Sequence, residues 1–142
     1  MKVLLFGAGG LLGTELVKRY GKDIIAIKKD ECNIYDISAV VPCIDFYNPD
    51  IIINAAAVTD KRVVESDPTE AIKSNIIGAA NLAIVCRDRK IRYVYLSTDY
   101  IYQGDRGNYK ETDPIMPFNL YSYTKLGGEC SAVAVKNHLI IR

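Results

Sequence analysis

The chain has 142 residues, 49% of them hydrophobic and 25% charged, and its 18 Lys and Arg nearly balance 17 Asp and Glu. This composition excludes a disordered chain, a collagen and a cysteine-dense secreted scaffold, and the length allows a core without metal or disulfide staples. A net charge of +1 does not indicate binding to nucleic acid or to an anionic membrane surface. Because no apolar run could span a bilayer and the start lacks a signal peptide, we expect a cytoplasmic protein.

The cysteines and the single histidine offer little for metal or nucleophile chemistry. Cys32, Cys43, Cys86 and Cys130 lie far apart without C-x-x-C spacing, so we expect reduced, mostly buried thiols. His138 begins an apolar run and is interpreted as structural. No metal site is predicted.

Apolar β-rich runs alternate with helical patterns along the chain, which predicts βαβ units and a parallel sheet. In the first half, helices are predicted at residues 11–20 and 38–47, the second capped by Ser38. The continuous apolar character of residues 50–54 indicates a strand with helices over both faces of its sheet. The other strands predicted in this half are at residues 2–6, 23–28 and 32–34.

In the second half, Asp67 is predicted to cap a helix, with Pro68 at the first helical position and Glu70 completing a capping box. This helix runs to the charged residues 87–90. The connection over residues 99–119 is too long for a turn, which indicates function. A further helix and two strands are predicted at residues 121–136, 91–97 and 138–142.

These elements predict an α/β fold with a doubly wound parallel sheet in three αβα layers. The last predicted strand, residues 138–142, ends the sequence without a helix to cover it, and native folds normally protect such an edge. We therefore expect residues 1–142 to be one domain of a truncated chain that is prone to self-association.

A glycine-rich turn follows the first predicted strand directly and leads into a helix: Gly7-Ala8-Gly9-Gly10-Leu11-Leu12-Gly13. Gly7 permits a tight turn, the middle glycines let backbone N–H groups approach a pyrophosphate, and Gly13 lets helix and strand pack closely. The helix N-terminus adds partial positive charge. This context predicts a dinucleotide site.

The second predicted strand should end beside the adenosine ribose, where an acid binds a 2′-hydroxyl and a base favours a 2′-phosphate. The sequence there is Ile27-Lys28-Lys29-Asp30-Glu31, with two lysines before the acids. NADP is therefore favoured over NAD as cofactor, although both lysines also suit a solvated loop.

Tyr121 and Lys125 are four residues apart on a predicted helix, which places both side chains on one face. An ammonium near a phenol favours the phenolate, and lowering the phenol pKa by about 3 units corresponds to roughly 4 kcal/mol. The pair therefore suits a proton donor, but its spacing alone often occurs by chance.

Further motifs follow in a fixed order across nearly the whole chain: Ile53-Asn54-Ala55-Ala56-Ala57 with Thr59, Glu65-Ser66-Asp67-Pro68, Asn75, Ser97-Thr98-Asp99-Tyr100-Ile101-Tyr102, Tyr109-Lys110-Glu111-Thr112-Asp113-Pro114 and Tyr121-Ser122-Tyr123-Thr124-Lys125-Leu126-Gly127-Gly128-Glu129. With them the sequence resembles the extended short-chain dehydrogenase/reductase superfamily, and within it the dTDP-4-dehydrorhamnose reductase family.

The resemblance implies an NAD(P)H-dependent reductase of a 4-keto nucleotide sugar. Thr98 would hydrogen-bond the substrate carbonyl, Tyr121 would protonate it, and Lys125 would hold the nicotinamide ribose and lower the tyrosine pKa. Residues implied to contact substrate are Thr59, Asp99 and Tyr100. Those implied to contact the cofactor, besides Tyr121 and Lys125, are Gly7, Gly9, Gly10, Leu11, Leu12, Gly13, Lys28, Asp36, Ile37, Ala55, Ala56, Ala57 and Asn75.

The resemblance also implies a C-terminal substrate-binding part outside these residues, and it leaves a homo-oligomer open. Val58, Arg62-Val63 and Ser122 depart from the residues usual in the family. These positions lie toward the substrate side or on the following loop, so they concern which sugar is bound and not the type of reaction. An epimerase or dehydratase of the same superfamily is one alternative, although Tyr100 stands where dehydratases tend to carry an acid. A non-catalytic regulator similar to the methionine adenosyltransferase beta subunit is another, but it needs no Thr-Tyr-Lys set.

Overall fold

Five strands form one parallel sheet in the computed structural model, which describes residues 1–142. The order across the sheet is β2-β1-β3-β4-β5. The predicted α/β fold is therefore confirmed. The strands are β1 (Val3–Phe6), β2 (Ile24–Ile27), β3 (Ile51–Asn54), β4 (Arg92–Leu96) and β5 (His138–Ile141).

Six α-helices, one π-helix and one 3₁₀-helix connect the strands. Helices α2, α5 and α6 pack beside one another. The step from β1 to β2 runs opposite to the later steps, so right-handed crossovers place α1 on the other face of the sheet. None of the helices combines the length and apolar character needed to cross a membrane. The helices are α1 (Leu11–Tyr20), α2 (Ile37–Tyr47), α3 (Lys61–Ser66), α4 (Thr69–Ala71), the π-helix Ile72–Gly78, α5 (Ala79–Arg89), the 3₁₀-helix Asp99–Ile101 and α6 (Leu120–Ala132).

The main core lies between the sheet and helices α2, α5 and α6. Leu4, Ile52 and Leu82 are fully buried in it, and each such side chain contributes about 1.5–3 kcal/mol by leaving water. Tyr93 is also fully buried, with its hydroxyl bonded to the Asn54 amide at 3.0 Å. The Oδ1 atom of the same Asn54 side chain accepts from the Ala56 N–H at 3.1 Å, so the core fixes the loop that leaves β3.

The predicted short strand at residues 32–34 is wrong. The Cys32 N–H bonds to the Lys28 carbonyl at 3.1 Å, as in a helical turn, and is not free to pair in the sheet. The predicted cap of α2 is also displaced. Asp36 Oδ1 accepts from the Ser38 N–H at 2.9 Å, so Asp36 is the N-cap and Pro42 lies in the second turn.

The predicted capping box before α4 does not form. Asp67 still accepts from the Thr69 N–H at 3.0 Å, but the Glu70 carboxylate pairs with Lys73 instead of reaching back to the cap. α6 ends at Ala132, four residues earlier than predicted. In β5, Leu139 and Ile141 are 41% and 48% exposed.

Candidate active site

The glycine-rich turn joins β1 to α1 and contains two kinds of glycine. Gly7 has φ +82°, and a Cβ there would lie 2.4 Å from the Ala56 nitrogen. A Cβ at Gly13 would lie 2.1 Å from the Gly7 carbonyl oxygen. The fold itself requires both residues to be glycine.

Gly9 and Gly10 are not required by the fold in this way. A Cβ at Gly9 would meet no atom within 4 Å, and one at Gly10 would meet only the Gly7 carbonyl oxygen at 3.4 Å. Helix α1 begins at the next residue, and its first N–H groups have no partner within the helix. The turn therefore offers an open surface of backbone donors that an anionic group can approach.

This surface forms one side of a cleft of about 310 Å³ at the carboxyl ends of β1, β2 and β3. The cleft lies where the strand order diverges, on either side of β1, which is the usual ligand position in open α/β sheets. The lining residues are Phe6, Gly7, Gly9, Gly10, Ile27, Lys28, Lys29, Cys32, Asn33, Ile34, Tyr35, Ala55, Ala56, Ala57, Val58 and Ser74.

Of the residues expected to contact a cofactor, Gly7, Gly9, Gly10, Lys28 and Ala55 to Ala57 line this cleft. Leu11 and Leu12 lie exposed at the start of α1. Asp36 and Ile37 do not line it, because the Asp36 carboxylate caps α2 and the Ile37 side chain is 42% exposed. Asn33 and Tyr35 also line the cleft and were not predicted to do so. The one feature of the sequence that points to them is their position soon after the second strand.

Asn75, also expected near the cofactor, lies behind the cleft wall. It is buried in the π-helix, where its side chain accepts from the Val58 N–H at 2.8 Å and donates to the Val58 carbonyl at 3.0 Å. The same amide donates to Thr124 Oγ1 at 3.0 Å, beside Lys125 on α6. Asn75 therefore fixes the end of the Ala55–Val58 loop to α6, the helix that carries Tyr121 and Lys125.

Tyr121 is held at the start of α6 by a reciprocal cap between Asn119 and Ser122. It belongs to a small apolar cluster with Val64 and Ala71, and its ring contacts the Tyr100 ring edge to face at 6.3 Å between centroids. Burial raises the pKa of Tyr121 above its ordinary value, while a hydrogen bond with Thr98 lowers it by less. The phenol therefore keeps its proton at neutral pH and has the Thr98 hydroxyl beside it.

Lys125 is almost completely buried one turn further along α6. Its ammonium donates to the Leu96 carbonyl at 2.6 Å and lies 4.4 Å from the centre of the Tyr95 ring. Burial lowers the pKa of Lys125 to about 8, against a smaller opposite effect of the Glu129 carboxylate. The lysine is thus still mostly charged at pH 7.

The expected effect of Lys125 on the tyrosine pKa is absent, because its ammonium is directed to the end of β4. The cation that lowers the pKa of Tyr121 is Lys61. Lys61 donates to the Tyr100 hydroxyl at 2.8 Å, and Tyr100 contacts Tyr121. The sequence analysis gave Lys61 no role.

The three residues expected on the substrate side do not form one group. Asp99 and Tyr100 follow Thr98 in the 3₁₀-helix, and the Tyr100 N–H donates to Thr98 Oγ1 at 3.2 Å. Thr59 is exposed in the loop before α3. All four cysteines are free thiols, and the His138 ring contacts the Val135 carbonyl three residues earlier.

The parallel sheet, the glycine-rich turn and the Tyr121–Lys125 pair define a Rossmann-type domain of the short-chain dehydrogenase/reductase class. Residues 1–142 match the model of the RmlD substrate binding domain, and the chain belongs to this family. This match confirms the resemblance indicated by the sequence motifs.

Two relatives and one solved structure illustrate the similarity. The spore coat polysaccharide biosynthesis protein SpsK of Bacillus subtilis is 38% identical over 146 residues, covering 99% of this chain and 52% of the relative. The dTDP-4-dehydrorhamnose reductase of Mycobacterium tuberculosis H37Rv is 34% identical over 141 residues, covering 94% and 46%. A crystal structure of dTDP-4-dehydrorhamnose reductase from Bacillus anthracis in complex with NADP has a TM-score of 0.92 at 33% identity, over 98% of this chain and 51% of that one. The chain thus spans about half the length of these relatives.

Proposed function

We propose that the protein containing this chain reduces the 4-keto group of a nucleotide-linked deoxysugar with NADPH or NADH. The observation that carries the proposal is the buried phenol of Tyr121 with the Thr98 hydroxyl beside it, one helical turn before the buried Lys125 on α6. Two of the relatives compared above are dTDP-4-dehydrorhamnose reductases, one of them solved with NADP, which supports the same substrate class and cofactor.

The cleft residues fit a dinucleotide. Gly9 is glycine without a conformational or packing need in the protein, which is expected where a ligand occupies the space of a side chain. Gly9, Gly10 and the first N–H groups of α1 would hold the pyrophosphate, and Lys125 would hold the ribose next to the nicotinamide. Bound there, a reduced nicotinamide supplies the hydride that the carbonyl carbon takes up.

The chain's own residues handle the proton. Thr98 holds the carbonyl oxygen by donating a hydrogen bond, and Tyr121 transfers its proton to the same oxygen. The products are a hydroxyl group and a Tyr121 phenolate, which the positive charge of Lys61 stabilises. Because burial keeps the phenol protonated at neutral pH, the proton is present when the carbonyl binds.

Residues 1–142 supply the cofactor part of this function, and further residues of the longer protein complete the sugar site. The chain's coverage of about half of each relative supports this division. Asp99 and Tyr100, next to Thr98, are the substrate-side residues that the geometry favours.

Two measurements test the function. Fluorescence titration of the 142-residue chain should show binding of NADPH or NADH, and the gene product that contains these residues should oxidise NADPH in equal amount with the reduction of dTDP-4-dehydrorhamnose. Cofactor binding without turnover would instead indicate the regulatory alternative. Conversion of a nucleotide sugar without net cofactor oxidation would indicate an epimerase or dehydratase.

A further inference from the structure

At the rim of the cleft, one carboxylate lies between two lysines from different segments. Glu70 Oε2 is 3.6 Å from the ammonium of Lys29, and Glu70 Oε1 is 3.0 Å from that of Lys73. Lys29 lines the cleft just after β2, whereas Glu70 and Lys73 lie across from it in α4 and the π-helix. The carboxylate therefore reaches the same lysine that a 2′-phosphate would need.

Both lysines of this group lie close to one aromatic ring, that of Tyr35. The ammonium groups of Lys29 and Lys73 lie 5.6 Å and 5.9 Å from the centre of the Tyr35 ring, and Tyr35 lines the cleft. In this fold the end of the second strand is where the adenosine ribose lies. Glu70 thus contributes negative charge at the position where NAD and NADP differ.

The Glu70 charge is present throughout the neutral range, because the hydrogen bond from Lys73 lowers the pKa of its carboxyl group. A neutral 2′-hydroxyl is not repelled by this charge. A 2′-phosphate is repelled by it, and also finds the Lys29 ammonium already partly neutralised. The side chains of Lys29 and Glu70 are 73% and 50% exposed, so the ion pair is easily broken and the effect on phosphate binding is graded.

We propose that Glu70 is a specificity-determining residue that weakens the preference for a 2′-phosphate and so lets the cleft accept NADH alongside NADPH. Lys28 also lines the cleft, and its ammonium forms none of the salt bridges of the structure, so it retains some attraction for the phosphate. The inference rests on the proposed function, because it concerns the same dinucleotide cleft.

The test is fluorescence titration of the 142-residue chain with NADPH and with NADH, at low and at high salt. Glu70→Gln should tighten NADPH binding by about three- to tenfold at low salt and leave NADH within about twofold, and high salt should reduce the gain. Adding Lys29→Met to Glu70→Gln should remove the gain.

Glu15→Gln is the matched control. The Glu15 carboxylate also bridges two cations, Lys18 and Arg19, and its exposure of 54% is close to the 50% of Glu70. If Glu15→Gln tightened NADPH binding as much as Glu70→Gln, the effect would be one of net charge and the proposal would be overturned. It would also be overturned if Glu70→Gln changed the affinities for NADPH and NADH equally, or changed neither. If the unchanged chain bound neither cofactor, the proposed function would fall first, and this inference with it.

Discussion

The Ser97 hydroxyl donates to the Glu129 carboxylate over 2.6 Å and so joins the end of β4 to the last turn of α6. Ser97 directly precedes Thr98, and Glu129 lies one helical turn after Lys125. Glu129 is 4% exposed and also pairs with Arg142 at 2.5 Å. One buried carboxylate therefore holds Thr98 in a fixed relation to the helix that carries Tyr121 and Lys125.

Removing this carboxylate should destabilise the fold. Glu129→Ala leaves the Ser97 hydroxyl and the mostly buried Arg142 guanidinium without their acceptor, so we expect a loss of about 2–3 kcal/mol in the free energy of unfolding. Urea denaturation measures it. Glu15→Ala, which removes an exposed carboxylate, should stay within about 0.5 kcal/mol. Equal losses in the two variants would contradict the structural role given to Glu129.

The two kinds of glycine in the turn should respond in opposite ways to substitution. Gly9→Val and Gly10→Val place a side chain in open space, so they should abolish cofactor binding and leave the thermal midpoint nearly unchanged. Gly13→Ala forces a Cβ against the Gly7 carbonyl, so it should lower the midpoint itself. Calorimetry of unfolding and of NADPH binding separates the two effects. Normal NADPH binding by Gly9→Val would show that the turn does not contact the cofactor.

The burial of Lys125 should make stability depend on pH. Its pKa is about 8 in the folded chain and 10.5 ordinarily, so between these values the unfolded chain binds more protons. The free energy of unfolding contributed by this group therefore rises with pH across that window and is constant below it. Cys32, Cys43 and Cys86 also have pKa values raised by burial, and they act in the opposite direction within this window, so the effect of Lys125 has to be measured as a difference between two proteins. Buried Tyr93 and Tyr95 act in the same direction as the thiols at higher pH, so the measurement should end near about pH 9.5.

The variant Lys125→Met isolates this contribution. The unfolding free energy of the unchanged chain minus that of Lys125→Met should rise between about pH 8 and 9.5 in urea titrations, because the thiols and phenols are the same in both proteins. Parallel curves for the two proteins would mean that Lys125 keeps an ordinary pKa in the folded state.

The phenol of Tyr121 should matter for turnover and not for cofactor affinity. In the gene product that contains this chain, Tyr121→Phe should lower the rate of 4-keto-sugar reduction by about 10² to 10⁴, because only the proton donor is lost. Tyr123→Phe is the control, since Tyr123 lies two positions along α6 and is 56% exposed. Similar rates for the two variants would exclude Tyr121 as the donor.

The sequence allowed prediction of those features that depend on local patterns. The apolar run of β3 and the four-residue spacing of Tyr121 and Lys125 each specify an element or a face without reference to the rest of the chain. The same logic failed at residues 32–34, where Cys32 and Ile34 are buried as an alternating pattern suggests, but from a turn and not from a strand.

Contacts between distant segments could not be predicted from such patterns. Lys61 reaches Tyr100 across 39 positions, and Glu70 meets Lys29 across the cleft, so neither partner is visible until the chain is folded. The sequence also does not show when a side chain is already used by a contact other than the expected one. The Asp36 carboxylate is used by the cap of α2, and the Lys125 ammonium by the Leu96 carbonyl.

The π-helix Ile72–Gly78 joins α4 to α5 in one continuous helical segment, which is hydrogen-bonded to both walls of the cleft. Asn75 bonds to Val58 on one wall of the cleft, and Asn81, beyond the wide turn, donates to the Ile34 carbonyl on the other at 2.9 Å. A π-turn holds an extra residue relative to an α-turn. Deleting a single residue there would convert the π-helix to a regular α-helix and rotate the two ends of the segment by about 100° relative to each other. The distance between the two walls of the cleft therefore depends on the number of residues in this segment.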